Sequence, residues 1–196
     1  MKHDQLTLFA SPPAMPDGFR YAPDFVGAAD ETQIVAKFAD LPFKEFEFHG
    51  FLGKRRVVSF GTRYDFNDRG LKKAEPMPPF LLPLRERAAA FAGLPPERLQ
   101  HALITEYQEG VSIGWHRDRP NYGDVIGVSL LSPCTFRMRR KHGNGWERAS
   151  MPLDRRSIYL MRGPSRNEWE HSIPAVEALR YSVTFRSLRD NHEPSS

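Results

Sequence analysis

His116 and Asp118 stand two residues apart in Gly114-Trp115-His116-Arg117-Asp118, and a second histidine, His171, follows in Glu170-His171-Ser172-Ile173. On an extended segment, positions i and i+2 point to the same side. The first pair can therefore reach one ion, and His171 can complete a set of two imidazoles and a carboxylate. Such a set grips a metal through one face and leaves the opposite coordination positions open. A second group lies in the run from Leu179 to Leu188. There Leu179, Tyr181, Val183 and Phe185 share one face, while Arg180, Ser182, Thr184 and Arg186 share the other. Six residues of strand separate the arginine Cα atoms by roughly 20 Å. Two guanidinium side chains leaning together close that to a gap suited to a small dicarboxylate. Taken singly these features are common. An H-x-D pair also fits a surface salt link to Arg117 or Arg119, and a lone histidine is more often structural than ligating.

The elements that must position these residues are legible in outline. A helix is expected from Asp30 as N-cap, with Ile34, Val35, Phe38 and Leu41 at helical spacing and Pro42 ending it. Phe46 and Phe48 alternate with charged neighbours as in a strand, Val57 to Phe60 reads as a second strand, and Gly61 to Phe66 as a third or an extended loop. Gly70 to Pro79 reads as a polar connection. Phe80 to Gly93 reads as a second helix, with Pro83 near its start and Gly93 as its C-terminal cap. From His101 onward short β-type runs follow one another at 101–107, 125–131, 134–140, 157–162 and 179–188, with a hairpin at His142-Gly143-Asn144-Gly145. Many short strands separated by breakers indicate a jelly roll or a sandwich. The expected fold is α+β, a double-stranded β-helix with flanking N-terminal helices. Residues 1–18 are expected to be a flexible leader and 19–190 one domain, with a lid at about 43–78 and a jelly-roll core at about 101–188.

Bulk properties exclude several classes. The chain has 196 residues, enough for one domain with a substantial core. Hydrophobic residues make up 40% and charged residues 27%, within the ordinary globular range. No run approaches the ~18 apolar residues of a membrane span, and Met1-Lys2-His3-Asp4 opens no signal-peptide core. A single cysteine, Cys134, excludes an intramolecular disulfide and suits a reducing cytoplasm. A monomer is expected. Net charge is +4, and much of the base is clustered at Arg55-Arg56, Arg137, Arg139-Arg140-Lys141 and Arg155-Arg156. Such clusters serve phosphate contacts or simply a solvated strand face.

Residues 101–188 resemble the catalytic domain of AlkB-type Fe(II)/2-oxoglutarate dioxygenases. The resemblance is carried by Ile104-Thr105-Glu106-Tyr107, Gly114-Trp115-His116-Arg117-Asp118, Trp169-Glu170-His171-Ser172-Ile173 and Arg180-Tyr181-Ser182-Val183-Thr184-Phe185-Arg186. The run Gly53 to Phe66 is similar to the family's substrate lid, so the likeness spans about residues 19–189. It implies Fe(II), 2-oxoglutarate and O2 as cofactor and cosubstrates. His116, Asp118 and His171 would bind iron. Arg180 would pair with the distal carboxylate of 2-oxoglutarate, Tyr107 would hydrogen-bond it, and Arg186 would sit near its metal-proximal end and help hold Asp118. Where the family usually has asparagines, this chain has Thr105 and Ser182, which hydrogen-bond with less reach.

The resemblance also implies a nucleic-acid substrate, an alkylated base in DNA or RNA undergoing oxidative demethylation. Base recognition needs an aromatic stacking surface and basic phosphate contacts. Phe60 and Tyr64, with Phe48, are candidates for the first, and Arg55 and Arg56, with Arg137, Arg139 and Arg140, for the second. The alternative for the aromatics is a place in the core. Gln5-Leu6-Thr7-Leu8-Phe9 resembles the short peptide by which bacterial repair proteins dock on the DNA sliding clamp. Other readings are an oxygenase acting on a protein or small molecule, a zinc hydrolase with the same three ligands, and an inactive nucleic-acid-binding module.

Overall fold

The computed structural model describes residues 15–48, 51–65, 70–73 and 75–189. Twelve strands lie among the described residues, in two antiparallel sheets. In chain order they are β1 (Phe19–Ala22), β2 (Lys44–Phe48), β3 (Phe51–Asp65), β4 (Gly70–Lys73), β5 (Leu99–Tyr107) and β6 (Ile113–His116). The second half holds β7 (Tyr122–Leu130), β8 (Cys134–His142), β9 (Gly145–Leu153), β10 (Ile158–Met161), β11 (Glu170–Ile173) and β12 (Arg180–Leu188). The major sheet runs β1-β10-β7-β12-β5-β3-β2, with β4 paired to β3. The minor sheet runs β6-β11-β8-β9. The two close on each other as a jelly roll.

Two helices cover the outer face of the major sheet. α1 (Ala28–Ala36) continues into a 3₁₀ turn at Lys37–Asp40 and stops before Pro42. Its N-cap is Gly27 rather than Asp30. Ala28 and Ala29 extend the helix backwards, and the Asp30 carboxylate accepts from Arg87 at 3.2 Å instead of capping. α2 (Leu82–Ala92) has Pro83 in its first turn and ends at Gly93, whose φ of 66° is the left-handed conformation a C-terminal cap needs. Phe38, Leu81, Leu84, Ala88 and Ala92 pack on Val58, Phe60, Ala102, Ile104, Ile126, Val128, Val183 and Phe185.

A second apolar cluster fills the space between the sheets, where Tyr107, Val125, Tyr159 and Met161 meet Phe136, Met138, Ile173 and Trp169. The central strands of the major sheet are therefore buried on both faces. This explains why β7 and β10 read as nearly continuous apolar runs instead of alternating.

Several elements differ from the sequence expectations. The segment 57–60 and the described part of 61–66, up to Asp65, are one long strand, β3, and part of the 70–79 connection is strand β4. β1, β6, β9 and β11 carry too little local pattern to be read alone. Three of them have four residues, and β9 is an exposed edge strand that tolerates Pro152. The hairpin at 142–145 joins β8 to β9. Of the leader expected at 1–18, residues 1–14, with Gln5–Phe9, lie outside the described residues.

Candidate metal and cosubstrate site

β6 and β11 are antiparallel neighbours, with His171 directly opposite His116. A register shift between His171 and Ile173 lets both histidines and both flanking isoleucines face the barrel interior. The imidazole centroids lie 4.2 Å apart. Asp118 follows β6 immediately, and its Oδ2 lies 3.7 Å from His171 Nε2. His116 Nδ1 lies 2.9 Å from the Gly114 carbonyl, which accepts its proton and leaves Nε2 as the free donor atom. The Phe136 ring stacks on His171 at 5.4 Å and holds its plane.

The other carboxylate oxygen of Asp118 is taken by Arg186, whose Nε and Nη2 both lie 2.7 Å from Oδ1. The Arg186 guanidinium in turn approaches His101 Nδ1 at 3.4 Å and lies over the Tyr122 ring. Burial by itself would raise the Asp118 carboxyl. The Arg186 guanidinium, helped by His171, His116 and Arg166, outweighs this and holds it well below the usual carboxylate range. Burial pushes the imidazoles the other way. His171 falls to about 3, with the neighbouring His116 adding to the effect, and His116 is also lowered. At neutral pH the cluster is thus two neutral imidazoles and one ionised carboxylate, the protonation state a divalent metal requires.

Arg180 sits at the far end of the same inner face of β12, opposite Tyr107. Its side chain is 1% exposed. Nε donates to Ser129 Oγ at 3.1 Å, and the guanidinium lies 5.1 Å from the Tyr107 ring centroid. Nη1 is buried with no hydrogen-bond partner, and among the described residues no carboxylate pairs with this cation. A buried guanidinium in that state is strongly disfavoured without an anion. Between the two arginines, Ser182 faces Thr105 across the strands, and both hydroxyls are buried. The residue types gathered here are those that hold a divalent metal at one end and a carboxylate at the other, joined by a polar floor.

The lid side is more mixed. Arg55 is partly buried on the β3 side of the site, where its charge bears on both Tyr107 and His116. Arg56, proposed above for phosphates, points the opposite way. It clamps the buried Glu106 with Nε and Nη2 at 2.7 and 2.8 Å, and Tyr181 OH donates to the same carboxylate at 2.8 Å. Phe60 is likewise no stacking platform. It pairs in register with Ala102 and is buried beneath the helices, because β3 turns its even-numbered residues to the outer core. The side chains of Tyr64 and Phe48 lie outside the described residues. Trp169 is buried in the inter-sheet core, while Trp115 stacks under Arg139 at 4.4 Å on the outer face of the minor sheet. Sequence reasoning missed His101 and Ser129. His101 is recoverable only from the β5–β12 register, which sets it opposite Arg186, and Ser129 from β7–β12 pairing, which sets it opposite Ser182.

Comparison with known proteins gives the family. The pattern of the 2OG-Fe(II) oxygenase superfamily matches residues 18–186. An alkylated DNA repair protein ALKBH8 homolog of Arabidopsis thaliana is 26% identical over 198 residues, covering 88% of this chain and 56% of the relative. The human DNA oxidative demethylase ALKBH2 is 26% identical over 178 residues, covering 84% of this chain and 63% of the relative. The chain thus spans less than two thirds of the length of these curated relatives. The solved structure of OsALKBH1 superposes with a TM-score of 0.69 at 16% identity, covering 89% of this chain and 98% of that one, and so shares its fold. The chain belongs to the 2OG-Fe(II) oxygenase superfamily, on its AlkB-like branch.

Proposed function

We propose that this chain is an Fe(II)- and 2-oxoglutarate-dependent dioxygenase that oxidatively removes alkyl groups from nucleobases in DNA or RNA. One observation carries the reading. A buried guanidinium lacking an anion, Arg180, shares one strand face with the arginine that grips Asp118 of a His-Asp-His cluster. A zinc hydrolase would leave Arg180 without a counterion.

His116, Asp118 and His171 would hold the iron through Nε2, Oδ2 and Nε2, and Arg186 would keep the carboxylate turned inward. Arg180 would take the distal carboxylate of 2-oxoglutarate, with Tyr107, Thr105 and Ser182 lining its length. When bound, iron and 2-oxoglutarate activate O2, giving succinate, carbon dioxide and a hydroxylated N-methyl group that falls apart to formaldehyde and the free base. Phe136, Met138 and Ile173, packed around the cluster, keep bulk water away from the reacting centre.

The names of the relatives, a DNA repair homolog and a DNA oxidative demethylase, support a nucleic-acid substrate. So do Arg55 beside the site and the outer face of the minor sheet, where Arg137 and Arg139 lie over Trp115. We further propose that Gln5–Phe9 docks the chain on a sliding clamp and that the enzyme works as a monomer in a reducing cytoplasm, which its single free cysteine suits.

The test is a panel of methylated DNA, RNA and tRNA substrates incubated with iron and 2-oxoglutarate and read by mass spectrometry. Loss of the methyl mass from at least one nucleic acid is expected, and turnover of none of them would overturn the substrate reading. His116→Ala and Asp118→Ala should abolish succinate formation while leaving the circular dichroism spectrum intact. Normal succinate from either, with metal supplied, would remove the iron assignment. Deleting residues 1–10 should abolish capture by the clamp, and undiminished capture would exclude the peptide.

A further inference from the structure

A second polar cavity lies on the flank of the barrel, outside the metal site. It has a volume of about 140 Å³ and is lined by Gly123, Asp124, Gly163, Arg166, Asn167 and Arg189. At ~30 Å³ per water this is room for a few solvent molecules, or for one small oxyanion. Its walls come from the start of β7, from the short helical turn α3 (Pro164–Asn167) and from the residue after β12.

The charges of this cavity do not balance. Asp124 is its one carboxylate, and Arg162 already neutralises it, with Nε and Nη2 at 2.8 and 2.5 Å from Oδ2. Arg166 is 5% exposed and donates only to main-chain carbonyls, those of Arg119 and Tyr122 at 2.5 and 2.9 Å. Its Nε is buried with no partner at all. Arg189 donates to the Tyr122 carbonyl at 3.2 Å and to Asn167 Oδ1. Among the described residues neither Arg166 nor Arg189 makes an ion pair with a carboxylate, although the Asp118 and Asp124 charges bear on Arg166 from farther off. Two guanidinium groups so close together, one of them buried, repel each other and carry a desolvation cost that neutral acceptors do not offset.

We infer that this cavity is a binding site for a phosphate-type oxyanion. The two guanidiniums reach the cavity from different elements, α3 and the tail of β12. They therefore offer donors from several directions, which suits a tetrahedral anion better than a planar carboxylate. Beside Gly163 the space is open, since a Cβ added there would meet no atom within 4 Å. The site adjoins the chemistry without being part of it. Arg166 holds the carbonyls of Arg119, on the loop that follows Asp118, and of Tyr122, where that loop enters β7. A phosphate bound there lies beside that loop. The inference does not depend on the reading of the metal site.

The test is calorimetric titration of inorganic phosphate into the full chain in a phosphate-free buffer, with backbone amide shifts recorded in parallel. Saturable binding with a stoichiometry near one is expected, with shifts centred on Gly123, Asp124 and Gly163. Arg189→Ala should weaken it about tenfold or more, the size of one lost charge-assisted hydrogen bond. Arg148→Ala, which removes an exposed arginine of β9, should leave it unchanged. Arg166→Lys, which keeps the charge but not the planar fork, should weaken binding while preserving the fold better than Arg166→Ala. Absence of saturable binding by the wild type, equal affinity in Arg189→Ala, or shifts centred elsewhere would each overturn the site. An unmodified single-stranded DNA dodecamer identifies the source of the anion. Displacement of phosphate by the dodecamer assigns the cavity to a phosphodiester of a bound strand, and no displacement assigns it to free phosphate or a monoester.

Discussion

At the level of single residues, the candidate centre is set electrostatically before any metal arrives. Burial holds His171 and His116 neutral, and Arg186 holds Asp118 ionised. Metal binding then displaces no proton at neutral pH. Mn(II), a redox-inert probe, should therefore bind with nearly constant affinity between pH 6.5 and 8. A protonated ligand histidine would instead change it by up to about tenfold per pH unit, so a steep dependence in that range would contradict the assignment. Arg180 makes a separate prediction. Its guanidinium has one side-chain acceptor, Ser129, and an unpartnered Nη1. Arg180→Ala should raise the KM for 2-oxoglutarate by roughly 10- to 100-fold, as losing charge-assisted hydrogen bonds does, with a smaller effect on kcat. An unchanged KM would mean that the carboxylate binds elsewhere.

At the level of elements, β12 is the organising piece. One face carries Arg180, Ser182, Thr184 and Arg186 into the barrel, and the other sets Val183 and Phe185 under the helices. A strand buried on both faces can present charged groups inward only if its neighbours supply partners. Ser129 of β7 and His101 of β5 do so. The fit is tight next to this strand. Gly127 pairs with Thr184, and a Cβ there would lie 2.3 Å from the Tyr159 ring. Gly127→Val should cost about 1–3 kcal/mol, the usual penalty for overpacking a core, measured by denaturant unfolding. A neutral effect would show that the Tyr159 ring moves aside freely.

At the level of the whole molecule, buried titrating groups shape stability against pH. His101 and His171 are both held near a pKa of about 3 by burial, in His101 reinforced by Arg186 and in His171 by His116. An unfolded imidazole titrates near ~6.5. Between these values the unfolded chain takes up protons that the native state does not, so stability falls as pH drops through the window from about 6.5 towards about 3. Glu106 adds to the lower end. Arg56 depresses its pKa, so its contribution is present above the unfolded carboxyl pKa and is lost as pH falls through the lower folded value. Arg56 is half exposed, so salt screens this part. The melting temperature of the metal-free protein should therefore decline from pH 7 to 4, and Arg56→Gln should remove part of the decline below pH 5 at low salt. A flat profile over that range would contradict the buried-histidine account.

The sequence by itself determined the chemistry-bearing types and their local phase. His116 and Asp118 stand two residues apart, 179–186 alternates polar against apolar, Gly93 ends a helix and Gly143–Gly145 turns a hairpin, all within a few residues of one another or by simple periodicity. Only the tertiary structure decided which face of each strand is which. Alternation along β3 is visible locally. Whether Phe60 or Arg55 looks toward the site depends on pairing with β5, some forty residues later in the chain. Because both faces of the major sheet are buried, hydrophobicity does not tell inside from outside there. Phe60 could thus pass for a base-stacking ring while lying in the helix-side core, and Arg56 for a phosphate contact while clamping Glu106. The same long-range pairing set His171 against His116 and gathered Arg166 and Arg189 around one cavity, which no local pattern encodes.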